Sequence, residues 1–152
     1  MQEETKQEET NTLPAAARPQ LTSHRVNGAN EKLVIEVMDD PQSGGANHHY
    51  RIRGFDSASN PSRPFIGLPG KPEQCCTVLF QNGPIAEVGV NGVTHEALLA
   101  IIEHRLQCFQ AGPFACPEND MALQHILRAQ QMLQMRTRRR LEAGTEGTHQ
   151  GT

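Results

Sequence analysis

The sequence lacks tryptophan, and aromatic residues make up only 4% of its 152 residues. The six aromatic side chains all lie between positions 50 and 114: Tyr50, Phe55, Phe65, Phe80, Phe109 and Phe114. Because large aromatic side chains anchor small cores, the folded body is expected to be shorter than the chain. The length itself suits one small domain.

Long apolar runs, metal motifs and leader sequences are missing too. No stretch approaches the roughly 20 apolar residues that a membrane helix requires, and MQEETKQEET at the N-terminus lacks the basic and apolar regions of a signal peptide. No CxxC pair and no HxxxH spacing occurs, so we expect no disulfide framework, no zinc site and no cofactor. Together these absences predict a soluble, cytoplasmic protein.

What is present predicts an α+β fold. Four segments are expected to be strands: residues 33–37, which have the β-branched content and length of a strand, residues 49–55, whose side chains alternate with a period of two, and residues 77–81 and 85–90. Asn82-Gly83-Pro84 has the composition of a hairpin turn between the last two. In the second segment, alternation places Tyr50 and Ile52 on one face and Arg51 and Arg53 on the other.

After Val93 the apolar residues recur at helical spacing. A first helix, capped by Thr94, is expected to end at Gly112-Pro113, and a second is expected to begin at Pro117 and end near residue 143, before Gly144. A connection of six or seven residues predicts an antiparallel pair. The predicted fold is therefore a small antiparallel sheet of about four strands over residues 32–91, followed by a two-helix antiparallel hairpin over residues 94–143.

The domain organisation follows from composition. Residues 1–31 carry Glu3, Glu4, Glu8 and Glu9 and no aromatic residue, which predicts a disordered acidic arm. Residues 32–144 are predicted to form a single α+β domain, and residues 145–152 a C-terminal tail. The apolar stripes of the two helices exceed what a four-stranded sheet can cover, which predicts a homo-oligomer.

Arginines concentrate near the end of the second helix: Arg128, Arg136, Arg138, Arg139 and Arg140. The helix dipole favours arginine there, which is a purely structural explanation. Alternatively, Arg136 and Arg140, one turn apart, bind a shared diphosphate, because guanidinium groups pair with phosphate oxygens. Interleaved aromatics and helix-turn-helix patterns are missing, so nucleic acid is not indicated. The sequence contains no phosphate loop and no nucleophile pattern, so nothing in it indicates an enzyme.

Three stretches carry a resemblance to a phage family: NHHYRIRGFDSASNPS, LFQNGPIAEVGVNGVTHEALLAIIEHRLQCFQAGPFACPEN and RTRRRLEAGTEGTH. Over about residues 31–149 the chain resembles the Thoeris anti-defence signal sponges, whose helical hairpin is shared with anti-CBASS cyclic-nucleotide sponges. The resemblance implies a non-enzymatic protein that sequesters a signal in the cytoplasm of the infected bacterial host. The implied ligands are glycocyclic ADP-ribose, made by TIR-domain defence proteins, and cyclic di- or trinucleotides at separate sites. The implied assembly is a dimer or a trimer of dimers, that is, a homohexamer.

The same resemblance implies site residues. Phe80 would stack on the adenine, Asn91 would bond its edge or the ribose, and Arg53 and Arg105 would contact the diphosphate. Arg136 and Arg140 join this set on their charge alone. Structural alternatives stay open: Phe80 as a core residue, Asn91 as part of the helix entrance and Arg105 as an ion-pair partner.

Two other functions stay open as well. One is a sponge of the anti-CBASS type that binds cyclic oligonucleotides alone. The other is a non-enzymatic phage accessory protein that binds nucleic acid or a protein partner through the arginine-rich helix end.

Overall fold

The computed structural model describes residues 18–62, 75–146 and 148. Contacts within the chain define two compact units, residues 1–79 and residues 80–152. The first unit contains a sheet and the second contains a helical hairpin. That residues 32–144 form a single domain stays a prediction.

The sheet has four antiparallel strands in the order β1-β2-β3-β4. The strands are β1 (Gln20–Leu21), β2 (Val34–Val37), β3 (His49–Arg53) and β4 (Cys75–Leu79), and a one-turn helix, α1 (Gly28–Glu31), follows β1. The last three confirm the first three predicted strands to within two residues at each end. Both β1 and α1 fall inside the segment predicted as an arm, and residues 1–17 of that segment lie outside the described residues.

The strand register sorts the side chains onto a polar and an apolar face. Because successive side chains point to opposite faces, one row across the four strands contains Gln20, Glu36, Arg51 and Thr77, and the row on the other face contains Leu21, Ile35, Ile52 and Cys76. Arg53 pairs with Val34 and Cys75 on the polar face. The alternation predicted for Arg51 and Arg53 is therefore confirmed.

Little of the sheet unit is fully buried. Val37 and Met38 are the buried apolar residues among those described in this unit. The connection between β2 and β3 is held by the buried Asp39, whose carboxylate accepts the backbone N–H groups of His48 and His49, each at 3.0 Å. Charged hydrogen bonds thus contribute to the stability of a unit whose apolar core is small.

The second unit contains the helices α3 (His95–Gln110) and α4 (Pro117–Glu142), which pack against each other. Thr94 caps α3 by accepting the N–H of Ala97 at 3.2 Å, and Pro117 begins α4. The connection has six residues, and Gly144, with a φ of +67°, follows the end of α4. The predicted α+β class and helical hairpin are confirmed.

Residues 85–90 do not form a strand. Ile85–Val88 is a one-turn helix, α2, which Pro84 precedes and Gly89 follows with a φ of +72°. The prediction of a strand at 85–90 and of a hairpin turn at 82–84 is therefore wrong. β-branched residues favour strands where a neighbouring strand offers a pleated surface to pack on, and the pairing here is a single parallel bridge between Phe80 and Val93.

The helical hairpin leaves a large apolar surface uncovered. Neither α3 nor α4 contains a fully buried residue, and eight large apolar side chains on the hairpin are exposed: Ile101, Ile102, Phe109, Phe114, Met121, Met132, Met135 and Leu141. Large exposed apolar patches mark interaction surfaces. Within the described ranges, no helix is long and apolar enough to cross a membrane.

Candidate functional site

The segment from Phe80 to Val93, named here the 80–93 loop, is joined at its two ends. Phe80 and Val93 form a parallel bridge, and the N–H of Gln81 donates to the carbonyl of Val93 at 2.9 Å. The loop leads directly into Thr94 and α3. Phe80 is therefore held next to the beginning of a long helix, although it lies 13 positions before Val93 in the sequence.

Two amide side chains cross-link this loop. Asn91 donates from Nδ2 to the carbonyl of Asn82 at 2.8 Å and accepts the N–H of the same residue at 2.9 Å. Gln81 accepts the N–H of Asn91 at 3.0 Å and donates to the carbonyls of Gly83 and Gly89 at 3.1 and 2.9 Å. Because an amide has two N–H donors and two lone pairs, Asn91 keeps hydrogen-bonding capacity beyond these two bonds. Its contact with a ligand stays a prediction.

Replacement of Asn91 by aspartate tests this structural role. The variant turns the donor that faces the carbonyl of Asn82 into a second acceptor, so we expect a loss of about 1–2 kcal/mol in the free energy of unfolding. Urea denaturation measures the loss, and faster hydrogen exchange at the Asn82 amide locates it. Asn60→Asp is the control, because the bond that the Asn60 side chain makes with the described residues uses its oxygen, which accepts the N–H of Ser62. Equal losses in both variants would contradict the role given to Asn91.

The ring of Phe80 lies against the imidazole of His95, the first residue of α3. Their centroids are 5.1 Å apart and the planes are tilted by 34°. Phe80 is half-buried, an exposure that fits both a core residue and a stacking surface. The first turn of α3 adds backbone N–H groups and the positive end of the helix dipole. An aromatic surface beside such a helix end suits a nucleobase that carries phosphate.

Arg105 lies one turn before Phe109, which forms an aromatic pair with Phe114 of the connection between α3 and α4. Its guanidinium carbon is 5.4 Å from the centroid of Phe109, whose ring meets that of Phe114 edge to face, with 6.4 Å between centroids. Arg105 is exposed and forms no ion pair with the described residues. The cation–π contact orients the guanidinium, and its role as a diphosphate contact or as an ion-pair partner stays a prediction.

The two arginines near the end of α4 differ in their surroundings. Arg140 is largely buried, and it donates to the Glu146 carboxylate at 3.0 Å and to the carbonyls of Thr145 and Thr148 at 2.7 and 3.1 Å. Arg136 is exposed and forms no ion pair within the part of the chain that the structure describes. Arg140 thus holds the chain that follows α4. The diphosphate shared by both arginines stays a prediction.

Arg53 belongs to a cluster on the polar face of the sheet. The Glu36 carboxylate accepts Nε and Nη2 of Arg51 at 2.9 and 2.8 Å on Oε2, and its Oε1 is 3.2 Å from Nε of Arg53. Glu36 is 5% exposed. The hydrogen bonds from Arg51, aided by those from Arg53, hold the pKa of Glu36 below 4.5 although burial acts in the opposite direction.

This lowered pKa predicts acid sensitivity. A carboxylate whose folded-state pKa is below its unfolded value stabilises the fold at neutral pH, and that stabilisation is lost as the pH falls below 4.5 and through the folded-state pKa. We therefore expect the free energy of unfolding to fall less between pH 7 and pH 3 in Glu36→Gln than in the parent chain. Urea denaturation at both pH values measures the difference. Glu31→Gln, on α1, is the control, and a fall in Glu36→Gln as large as in that control would contradict the prediction.

The cysteines and the acidic and histidine side chains show no metal centre in the described ranges, where no three of them lie close enough to hold an ion. Cys75, Cys76, Cys108 and Cys116 are all free. Cys116 has a structural role, because its Sγ accepts the N–H of Asn119 at 3.4 Å and caps α4.

Sequence reasoning missed Gln81 and His95. Gln81 makes four of the hydrogen bonds that close the 80–93 loop, one from its backbone and three from its side chain. A glutamine in a loop has no sequence pattern that marks it. His95 could have been found from its position directly after the Thr94 cap. A side chain in the first turn of α3 lies close to the residues that precede the helix.

Two comparisons with known proteins bear on this region. Residues 73–138 match the family described as Acb2/Tad1, hairpin domain. The chain is also 41% identical over 102 residues to Thoeris anti-defense 1 of Bacillus phage SBSphiJ7, an alignment that covers 67% of each chain. The family match spans the 80–93 loop, α3 and most of α4.

Proposed function

The chain belongs to the Acb2/Tad1 hairpin family of phage anti-defence proteins, and from that premise we propose that it binds a nucleotide immune signal and sequesters it without cleaving it. The proposed signal is glycocyclic ADP-ribose, and the proposed place of action is the cytoplasm of the infected bacterial host. The observation that carries the proposal is the Phe80–His95 ring pair beside the first turn of α3.

The chemistry of the ligand matches the groups described above. Adenine needs an aromatic surface, which Phe80 offers, and its edge or the ribose needs an amide such as Asn91. The diphosphate needs guanidinium groups, for which Arg53 and Arg105 are proposed. A sponge binds its signal stoichiometrically against continued synthesis, so nanomolar affinity, about −12 kcal/mol, is required.

The proposed assembly is a homo-oligomer, a dimer or a trimer of dimers. Its support is the exposed apolar surface of the hairpin, which includes Ile101, Met132 and Met135 at 61%, 52% and 58% exposure. Burial of apolar surface is the main favourable contribution to association. Contact between copies of α3 and α4 would remove this surface from water.

Native mass spectrometry of the full chain tests the proposal. The protein is measured alone and with both glycocyclic ADP-ribose isomers and several cyclic di- and trinucleotides. We expect an oligomer that retains glycocyclic ADP-ribose, and heat denaturation should release the ligand with its mass unchanged. A monomer that retains nothing would overturn the sponge proposal, and a ligand recovered in cleaved form would overturn sequestration.

Cyclic di- or trinucleotides are a second proposed ligand class, at a separate site, and they would be the sole class if the protein were an anti-CBASS sponge. The observation that favours them is the exposed set Arg136, Arg138 and Arg139 at the end of α4. We expect Arg136→Ala to weaken any cyclic-oligonucleotide binding. Arg128→Ala, which is also exposed on α4 but lies outside this set, is the control, and isothermal titration measures both. Unaltered binding of every signal in Arg136→Ala would leave Arg136 as a solvated charge.

The salt dependence of binding distinguishes these small ligands from a nucleic acid that binds at the same helix end. Binding to a phosphate backbone weakens by a factor of about 10³ or more between 50 and 200 mM salt when many phosphates are contacted. An enclosed small-ligand site is expected to weaken much less. A steep salt dependence with duplex or single-stranded nucleic acid, and no retained cyclic nucleotide, would favour the accessory-protein alternative.

A further inference from the structure

The polar face of the sheet holds two arginines that share one buried carboxylate. Glu36 is 5% exposed, whereas the side chains of Arg51 and Arg53 are 32% and 47% exposed. Glu36 approaches Arg53 through Nε, and neither Nη group of Arg53 donates to a described residue. A guanidinium whose terminal amino groups lack a protein acceptor is suited to bind a phosphate oxygen.

The net charge of this cluster is one positive unit. Two guanidinium groups and one carboxylate contribute, and the cross-strand neighbours Gln20, Thr77 and Cys75 add no formal charge of their own. The lowered pKa of Glu36 keeps the carboxylate ionised at neutral pH. Any phosphate bound by Arg53 therefore lies close to a permanent negative charge, and that charge repels a doubly charged phosphate more strongly than a singly charged one.

We propose that Glu36 is a specificity-determining residue, which lowers the preference of the arginine pair for terminal phosphate groups and thereby favours an internal diphosphate. A terminal phosphate carries about −1.5 to −2 charges at neutral pH, whereas each phosphate of an internal diphosphate carries one. This inference rests on the proposed function for the identity of the physiological ligand. The carboxylate would reduce competition from nucleoside di- and triphosphates, because specificity requires unfavourable contacts with the wrong ligand as well as favourable ones with the right ligand.

The size of the effect follows from the Coulomb energy. At a separation of about 6 Å and an effective dielectric constant of about 40, between the values for a protein surface and for water, one additional unit charge on the ligand changes its binding constant about tenfold. Orientation of Arg53 by Glu36 acts on singly and doubly charged phosphates alike. A comparison of two ligands that differ by one charge therefore isolates the charge effect.

The test uses ADP and its β-methyl ester, which differ by one methyl group and about one negative charge. Isothermal titration gives the binding constant of each for the full chain and for Glu36→Gln, Arg51→Gln and Glu31→Gln. We expect the ratio of the ADP constant to the ester constant to rise about tenfold in Glu36→Gln. It should fall by about the same factor in Arg51→Gln, which removes a positive charge from the cluster. Glu31→Gln removes an equal negative charge from α1 and should leave the ratio unchanged.

An unchanged ratio in folded Glu36→Gln would overturn the inference, as would failure of the ester to bind the parent chain at millimolar concentration. If Glu36→Gln does not fold, as judged by circular dichroism, the test rests on Arg51→Gln. An unchanged or raised ratio of the ADP constant to the ester constant in that variant would then overturn the inference. Failure of the proposed function gives a different pattern: glycocyclic ADP-ribose does not bind, while the two ratios still shift in opposite directions.

Discussion

Replacing Phe80 by alanine should lower the affinity for glycocyclic ADP-ribose by a factor on the order of 100, because stacking of one base on an aromatic ring contributes up to about 3 kcal/mol. The oligomer should persist, since Phe80 belongs to the base of the 80–93 loop and not to the exposed apolar surface of α3 and α4. Isothermal titration measures the affinity, and native mass spectrometry measures the assembly.

Two matched variants distinguish stacking from packing. Phe80→Leu keeps an apolar side chain of similar size without a ring, so it should restore stability but not affinity. Phe114→Ala removes a ring that is 70% exposed at the turn between the helices, and it should keep affinity. If Phe80→Leu binds as tightly as the parent chain, Phe80 is a core residue and its stacking role is refuted.

Replacing Gly92 by alanine should open the 80–93 loop. A Cβ at this position would overlap the carbonyl carbon of Phe80 and lie 2.6 Å from the nitrogen of Gln81. Both are backbone atoms, which cannot rotate away, so we expect a loss of about 3 kcal/mol or more in the free energy of unfolding. Ligand affinity should fall with it, because the bridge that holds Phe80 would be broken.

The control for this substitution is Gly28→Ala, since a Cβ at Gly28 would meet nothing within 4 Å. It should change the free energy of unfolding by less than about 1 kcal/mol. Urea denaturation of both variants checks the difference. A Gly92→Ala variant that is as stable as Gly28→Ala and still binds would show that the loop does not need its close approach to Phe80.

The sequence predicted the elements whose signals are local and repeated. The helices were found because apolar residues recur at helical spacing over several turns and because Thr94, Pro117 and Gly144 mark their ends. Three strands were found, β2 from its β-branched content and β3 from its period-two alternation. Strand β1 was missed because Gln20–Leu21 is too short to show alternation, and its pairing with Glu36 and Ile35 depends on residues distant in the sequence.

The candidate site was less predictable because its geometry depends on loop closure. Asn91 was identified by resemblance, but its two bonds to the backbone of Asn82 have no local sequence pattern. The same holds for the contact between Phe80 and His95, which requires the chain to return on itself. Arg53 was placed on the correct face by simple alternation, whereas its sharing of Glu36 with Arg51 required the strand register.

The closure of the 80–93 loop at its base also makes its tip a place for protein engineering. The side chain of Gln81 donates to the carbonyls of Gly83 and Gly89, the side chain of Asn91 bonds to the backbone of Asn82, and Ala86, between the two glycines, is exposed. Lengthening a loop is inexpensive in chain entropy, about 0.6 kcal/mol for each doubling of its length. A fluorescent reporter domain inserted after Ala86 would interrupt the single turn of α2 but would leave the bonds between Gln81, Asn82 and Asn91 in place. It would be tethered a few residues from Phe80, where it would report binding of the proposed ligand in living cells.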